Sequence, residues 1–116
     1  MIVLVTGDRN WKNRKKIATE LHKRRKKIKL LIHGGARGAD LIADEYARIM
    51  GVQTVEFAAN WTFHKRAAGP IRNQNMIRFI KPDLVLAFHS NLKKSKGTQH
   101  MVKLARGQKV RVKVIR

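Results

Sequence analysis

The sequence predicts an α/β protein in which a parallel β-sheet is covered by helices on both faces. Short, continuously apolar runs such as 2–5, 30–32 and 84–88 are typical of strands that are buried on both faces. These runs alternate with segments of helical periodicity. The length of 116 residues suits one domain, and no linker or repeat interrupts it. Because crossovers between parallel strands are right-handed, we expect a single Rossmann-like domain over residues 1–116, with five strands ordered 3-2-1-4-5.

The elements follow from local patterns along the chain. Asn10 or Asn13 is suited to cap a first helix over about 14–26, and Gly51 to end a second helix over 39–50. Pro70 fits the first position of a third helix that ends near 80, and Thr98 is expected to cap a fourth that ends at 107. The predicted strands cover 1–6, 30–33, 52–57, 83–88 and 110–114, and a long connection covers 58–69.

Composition excludes several classes of protein. The chain has no cysteine, so disulfide frameworks, cysteine zinc sites and thiol nucleophiles are excluded. No apolar run approaches the ~18–20 residues of a membrane span, and the apolar N-terminal stretch is too short for a signal peptide. We therefore expect a soluble cytoplasmic protein with no membrane partner.

The charge is strongly positive, with 27 Lys and Arg against 7 Asp and Glu and a net charge of +20. Such a charge attracts polyanions, so DNA or RNA is one candidate partner, and simple solvation of exposed faces is the other interpretation. Residues 9–29 contain Glu20 as their only acid. The candidate nucleic-acid surface there consists of Lys15, Lys16, Lys23, Arg24, Arg25, Lys26 and Lys27.

Three polar, glycine-bearing loops are expected to meet where the predicted strand order reverses, between strands 1 and 4. They cover residues 6–9, 34–40 and 89–98. Their glycines permit close backbone approach, and a helix N-terminus with an arginine such as Arg37 favours a phosphate. A tight β–α turn is the alternative interpretation, and no P-loop motif is present. The candidate ligand residues are Thr6, Gly7, Arg9, Gly34, Gly35, Arg37, Gly38, Asp40, Arg72, Asn73, Gly97 and Thr98.

Other chemistry-bearing residues support few alternatives. The histidines at 33, 64 and 89 lack metal-ligand spacing, so we expect structural roles or hydrogen bonds to a ligand, and no metal. Asp40 is expected to stabilise a helix N-terminus, and Asp44 to pair with Arg48; a catalytic carboxylate dyad is the alternative. Trp61 and Phe63 suit either stacking on a base or closing the core beneath the long connection.

Several strings together resemble one family over almost the entire chain. They are His33-Gly-Gly-Ala-Arg-Gly-Ala-Asp40, Ala68-Gly-Pro-Ile-Arg-Asn-Gln74 and Ser95-Lys-Gly-Thr98, with Val5-Thr-Gly7 and Trp61. The chain resembles the YspA-like (cpYpsA-related) family of the SLOG superfamily. The resemblance implies a Rossmann-like fold, a pocket for a nucleotide or nucleotide-derived (ADP-ribose-like) ligand, and a homodimer. It also implies a bacterial or phage protein with a role in signalling or in phage–host conflict.

One departure bears on catalysis. The LOG phosphoribohydrolases of this superfamily have PGGxGTxxE, whereas here the double glycine is missing and Met101 stands at the glutamate position. LOG-type hydrolysis is therefore disfavoured, and a hydrolase would need Asp8, Asp40 or a histidine as its base. Ligand binding is the leading hypothesis, and nucleic-acid binding or hydrolysis with other residues are the alternatives.

Overall fold

A computed structural model describes residues 1–116. Five parallel strands form one sheet in the order β3-β2-β1-β4-β5, which confirms the predicted topology. The strands are β1 Ile2–Gly7, β2 Leu30–His33, β3 Gln53–Glu56, β4 Leu84–Phe88 and β5 Arg111–Ile115. The helices are α1 Arg14–Lys23, α2 Ala39–Ile49, α3 Trp61–His64, α4 Ala68–Asn75 and α5 Lys96–Gly107. A π-helical segment, Met76–Ile80, extends α4, and 3₁₀ turns form at Lys65–Ala67 and Leu92–Lys94.

Two hydrophobic layers hold the helices against the sheet. Successive side chains of a strand point to opposite faces, so Val3 and Val5 join one layer while Leu4 joins the other. The first layer packs under α1 and α2, and the second packs under the π-helical extension of α4 and under α5. β4 is buried along its whole length, as its continuous apolar run predicts. No helix combines the length and the apolar character that a membrane crossing requires.

α4 and α5 correspond to the third and fourth helices of the sequence prediction, and both begin earlier than predicted. α4 starts at Ala68, so Pro70 is its third residue, where a missing N–H is still harmless because the first four have no helical partner. The connection 58–69 contains α3 and a 3₁₀ turn. Thr98 is not the cap of α5: the Ser95 side chain accepts a hydrogen bond from Thr98 N at 3.0 Å. Ser95 precedes Thr98 by three residues, the spacing that an N-cap requires.

Helix ends are set partly by residues that the sequence identifies and partly by residues that it does not. Asn13 caps α1, with its side-chain oxygen 3.1 Å from Lys16 N. Gly51 follows α2 with a φ of 78°, as predicted. The turns after the π-helical segment and after α5 instead place Lys81 and Lys109 in the left-handed region, with φ of 53° and 61°. Glycine is the usual residue in such turns, so the sequence gives no sign of them.

A single buried carboxylate joins α1 to the edge strand β5. Glu20 accepts hydrogen bonds from Arg24 at 2.7 Å and from Lys113 at 2.9 Å, and Lys23 lies 3.5 Å away. Burial alone would raise the pKa of Glu20, but the hydrogen bonds from Arg24 and Lys113 and the positive charges of Lys113 and Lys23 lower it to about 2. These contacts hold α1 against β5, an edge strand of the sheet.

We expect Glu20→Gln to lower the free energy of unfolding by about 1–3 kcal/mol at neutral pH, because charge-assisted hydrogen bonds at a buried site are lost. The folded-state pKa lies below the unfolded one, so the wild-type advantage is present above about pH 4.5 and is lost as pH falls toward about 2. Urea titrations of both proteins across this range measure the effect.

Glu45→Gln is the matched control. Glu45 pairs with Arg14 at 2.8 Å, but both side chains are more than half exposed, so this change should cost less than ~1 kcal/mol. Equal losses in the two variants would contradict the assignment of a special role to Glu20.

Candidate ligand site at the carboxyl edge of the sheet

The loop between β2 and α2 is held in shape by two buried side chains. His33 is fully buried; its Nδ1 accepts a hydrogen bond from Gly35 N at 2.9 Å. The ring proton is therefore on Nε2, which donates to Asp44 Oδ2 at 2.5 Å. Asp44 also accepts from Arg48, the pairing that the sequence predicts. Although burial would raise the pKa of Asp44, the hydrogen bonds from His33 and Arg48 lower it. His33 thus has the structural role expected from its position.

Asp40 holds the other side of the same loop. Its Oδ2 accepts hydrogen bonds from Gly34 N at 3.0 Å and Ala36 N at 3.3 Å, and only 5% of the residue is exposed. Burial raises the pKa of Asp40 to about 6, although the two backbone donors and the positive charge of Arg72 oppose that rise. Asp40 therefore shapes the loop from inside and presents no free carboxylate at the surface.

Arg72, from α4, lies directly against this loop. Its Nη1 donates to Gly34 O at 2.9 Å, and its Nε donates to Asn73 Oδ1 at 3.0 Å. A Cβ atom on Gly34 would lie 2.3 Å from Arg72 Nη1, so the glycine makes this approach possible. Burial lowers the pKa of Arg72, and the nearby Asp40 carboxylate opposes that effect. A guanidinium has five N–H donors, so Arg72 keeps donors for a ligand.

Asn73 extends the connection to the start of α5. Asn73 is buried, and its Nδ2 donates to Gly97 O at 3.4 Å and to His100 Nδ1 at 3.2 Å. Burial, followed by the charge of Lys103, lowers the pKa of His100, which suits its role as an acceptor. No heavy atom outside the local chain lies within 4 Å of a Cβ built on Gly97, so space is open beside this first helical turn.

The end of β1 packs against the start of α2. A Cβ on Gly7 would lie 2.5 Å from Phe88 O, and one on Gly38 would lie 2.4 Å from Asp8 O. Gly38 has a φ of 78°. Both glycines are therefore needed for packing between backbone segments, the alternative that the sequence left open. Thr6, next to Gly7, pairs with Ala87 of β4.

Arg9 and Arg37 line a separate polar cavity of about 540 Å³ beside this junction, on the α1 and α2 face. Arg37 is exposed, and its Nη2 donates to Asn10 Oδ1 at 3.2 Å. Gly38 lines the same cavity, so the glycine loop borders both the cavity and the Arg72 network. The twelve candidate ligand residues thus divide between these two places, with Thr6 and Gly7 at the β1 end.

Comparisons with known proteins identify the family of this chain. A model of the YspA, cpYpsA-related SLOG family matches residues 1–64, more than half of the chain. The chain belongs to this family. Gene 61 protein of Mycobacterium phage D29 is 40% identical over 122 aligned positions, which cover 97% of this chain and 93% of the relative. The match to this SLOG family confirms the resemblance drawn from the sequence motifs.

Some contacts in this SLOG protein were not predicted. Ser95 caps α5, His100 receives the Asn73 hydrogen bond, and Asn10 orients Arg37. Of these, only Ser95 has a sequence signal, its N-cap spacing. Trp61 and Phe63 are 59% and 76% exposed, so their alternative role in the core is wrong. Nowhere do three or more His, Asp or Glu side chains come together as a metal site would require.

Three glycine-to-alanine changes should distinguish a glycine required for backbone packing from glycines that border the candidate ligand site. Gly38→Ala forces a side chain against backbone at positive φ, so we expect a loss of about 2 kcal/mol or more. Gly34→Ala meets only the movable end of Arg72 and should cost about 1 kcal/mol or less while displacing that guanidinium. Gly97→Ala has free space and should be neutral or stabilising. Urea unfolding measures all three; a Gly34→Ala loss equal to that of Gly38→Ala would contradict this distinction.

The raised pKa of Asp40 predicts a stability change at mildly acidic pH. Because the folded chain binds this proton more tightly than the unfolded chain, the free energy of unfolding should fall by about 3 kcal/mol as pH rises from about 4 to 6. Asp40→Asn removes the ionisation and should remove that slope. Denaturation at several pH values measures it, and parallel curves for the two proteins would show that Asp40 does not titrate in this range.

Proposed function

We propose that this SLOG-family protein binds a nucleotide or a nucleotide-derived, ADP-ribose-like ligand at the carboxyl edge of its sheet. One observation supports this most directly: Arg72 and Asn73 connect the glycine loop at Gly34 to the first turn of α5 at Gly97. Two glycine-bearing segments and an arginine thus meet at the edge where ligands of open parallel sheets bind.

The phosphate part of such a ligand has suitable donors here. The first backbone N–H groups of a helix have no helical partner, so the start of α5 offers donors beside the open space at Gly97. Arg72 adds guanidinium donors from the opposite side. Arg9 and Arg37 provide a second cationic place at the neighbouring cavity. An elongated ligand with two phosphates is suited to this pair of sites.

The base has a candidate partner in Trp61. A Cβ on Gly69 would lie 3.4 Å from the Trp61 ring, so the indole packs beside the first turn of α4, three residues before Arg72. Most of the indole is exposed and free to stack on a flat ring. This favours the base-stacking interpretation of Trp61.

The proposed activity is ligand binding without hydrolysis of the LOG type. Met101, at the position of the LOG glutamate, is fully buried in the second hydrophobic layer and faces no ligand. Asp40 is occupied by two backbone donors, and Asp8 Oδ1 accepts from Asn10 N at 2.8 Å. Roles in signalling or phage–host conflict, and a homodimeric state, stay predictions.

Isothermal titration of the wild type with ADP-ribose, ADP and AMP tests the proposal. Arg72→Lys keeps the charge but loses the planar set of donors, so affinity should fall about tenfold or more. Trp61→Ala should weaken the binding of base-containing ligands, and Arg37→Ala the binding of ADP-ribose and ADP more than that of AMP.

Arg106→Ala is the matched control, because Arg106 is exposed in the last turn of α5, at the opposite edge. It should bind as the wild type does. No binding by the wild type at millimolar ligand, or equal losses in Arg72→Lys and Arg106→Ala, would overturn the proposal. Chromatography of the ligand after incubation should show it unchanged.

A further inference from the structure

The amino edge of the sheet, opposite the candidate ligand site, is unusually basic. Helices return antiparallel to the strands, so the loops at 24–29, 50–52, 81–83 and 108–110 all lie at this edge. Asp83 is the only carboxylate in these four loops. We call the following set the basic rim: Arg24, Arg25, Lys26, Lys27, Lys29, Lys81, Arg106, Lys109 and Arg111.

Most of the basic rim has no acidic partner. Arg24 is paired with Glu20, but no carboxylate lies within ion-pair distance of the other eight side chains. All eight residues are exposed. Asp83 Oδ2 accepts a hydrogen bond from Ile2 N at 2.7 Å, so this carboxylate is already engaged with the backbone. The charge at this edge is therefore available to a partner in solvent.

The strand register spreads these cations across the amino edge of the sheet. Ile2 pairs with Leu30, Val3 with Leu84, and Leu84 with Arg111, so the rim runs across β2, β1, β4 and β5. Three strand spacings of about 4.8 Å give a length of about 14 Å. Duplex DNA carries one charge per ~1.7 Å of axis when both strands are counted, so a duplex of this length carries about eight phosphates in all.

Backbone strain coincides with two of the cations. Lys81 and Lys109 have φ of 53° and 61°, a region in which a non-glycine residue costs about 1–2 kcal/mol. Glycine would relieve that strain in both turns. Lysine stands at both, each beside other rim cations, so a change to glycine there would remove the strain and the charge together.

We propose that the basic rim binds the phosphate backbone of a double-stranded nucleic acid, without reading its sequence. Eight unpaired cations along one edge of the sheet match a polyanion, and they repel a second copy of this chain. Binding of single strands relies on several stacking aromatics. Phe79 is the one exposed aromatic next to the rim in sequence, because Trp61 and Phe63 follow β3 at the other edge. This surface is separate from the site of the proposed function.

The strained lysines give a test in which stability and binding move in opposite directions. In Lys81→Gly/Lys109→Gly, we expect an unfolding temperature equal to or above that of the wild type, because strain is relieved. Fluorescence anisotropy with a labelled 20-base-pair DNA should show weaker binding. The slope of log affinity against log salt should fall in magnitude by about 2, since each phosphate contact contributes about 0.9.

Lys65→Gly/Lys93→Ala is the control with the same loss of charge. Lys65 also has positive φ, 54°, and both residues are exposed in the segments that follow β3 and β4 at the carboxyl edge. This variant should bind duplex DNA as the wild type does. The proposal is overturned by no binding at low salt, by equal losses in the two double variants, or by tighter binding of a single strand of the same length.

Discussion

A buried carboxylate governs the shape of the carboxyl edge. Asp40 accepts two backbone hydrogen bonds from the glycine loop, and that loop in turn presents Gly34 O to Arg72. Taking an acid out of water is costly, and the same burial that raises its pKa also makes its hydrogen bonds to the loop strong. The loop, α4 and α5 are consequently one hydrogen-bonded unit. A ligand at this edge would meet a surface that is already ordered.

The few acids of this chain are used mainly for structure. Glu20 joins α1 to β5, Asp44 accepts a hydrogen bond from His33, and Asp83 accepts one from the backbone N–H of Ile2 in β1. These three carboxylates engage neighbouring groups on the protein itself, whereas most lysines and arginines are exposed without an acidic partner. The net charge of +20 is thus a property of the surface, and its uneven distribution gives the two edges of the sheet different chemistry.

The sequence predicted the sheet order, both helix-bearing faces and the Asn13 and Gly51 helix ends, because apolar runs and capping residues are local signals. It also placed Gly34, Arg72 and Gly97 at one edge, since parallel topology gathers loop residues there. It did not predict that Asn73 bonds to His100, or that Lys81 and Lys109 adopt positive φ. Those features depend on tertiary packing between segments far apart in the chain or on turns that lack the usual glycine. The prediction of Thr98 as the cap was wrong because Ser95, three residues earlier, also has a side chain that can cap the helix.

The position of β1 has a consequence for how the chain folds during synthesis. Its partner on one side, β2, and the strand beyond it, β3, come from the first half of the chain, but its other partner, β4, begins only at Leu84. Until that segment leaves the ribosome, one side of the most central strand has no hydrogen-bond partner, and the face that α4 and α5 later cover is bare. Such an open strand edge is prone to pairing with other chains. A truncated N-terminal half of this protein would therefore be a poor starting point for isolating a soluble fragment.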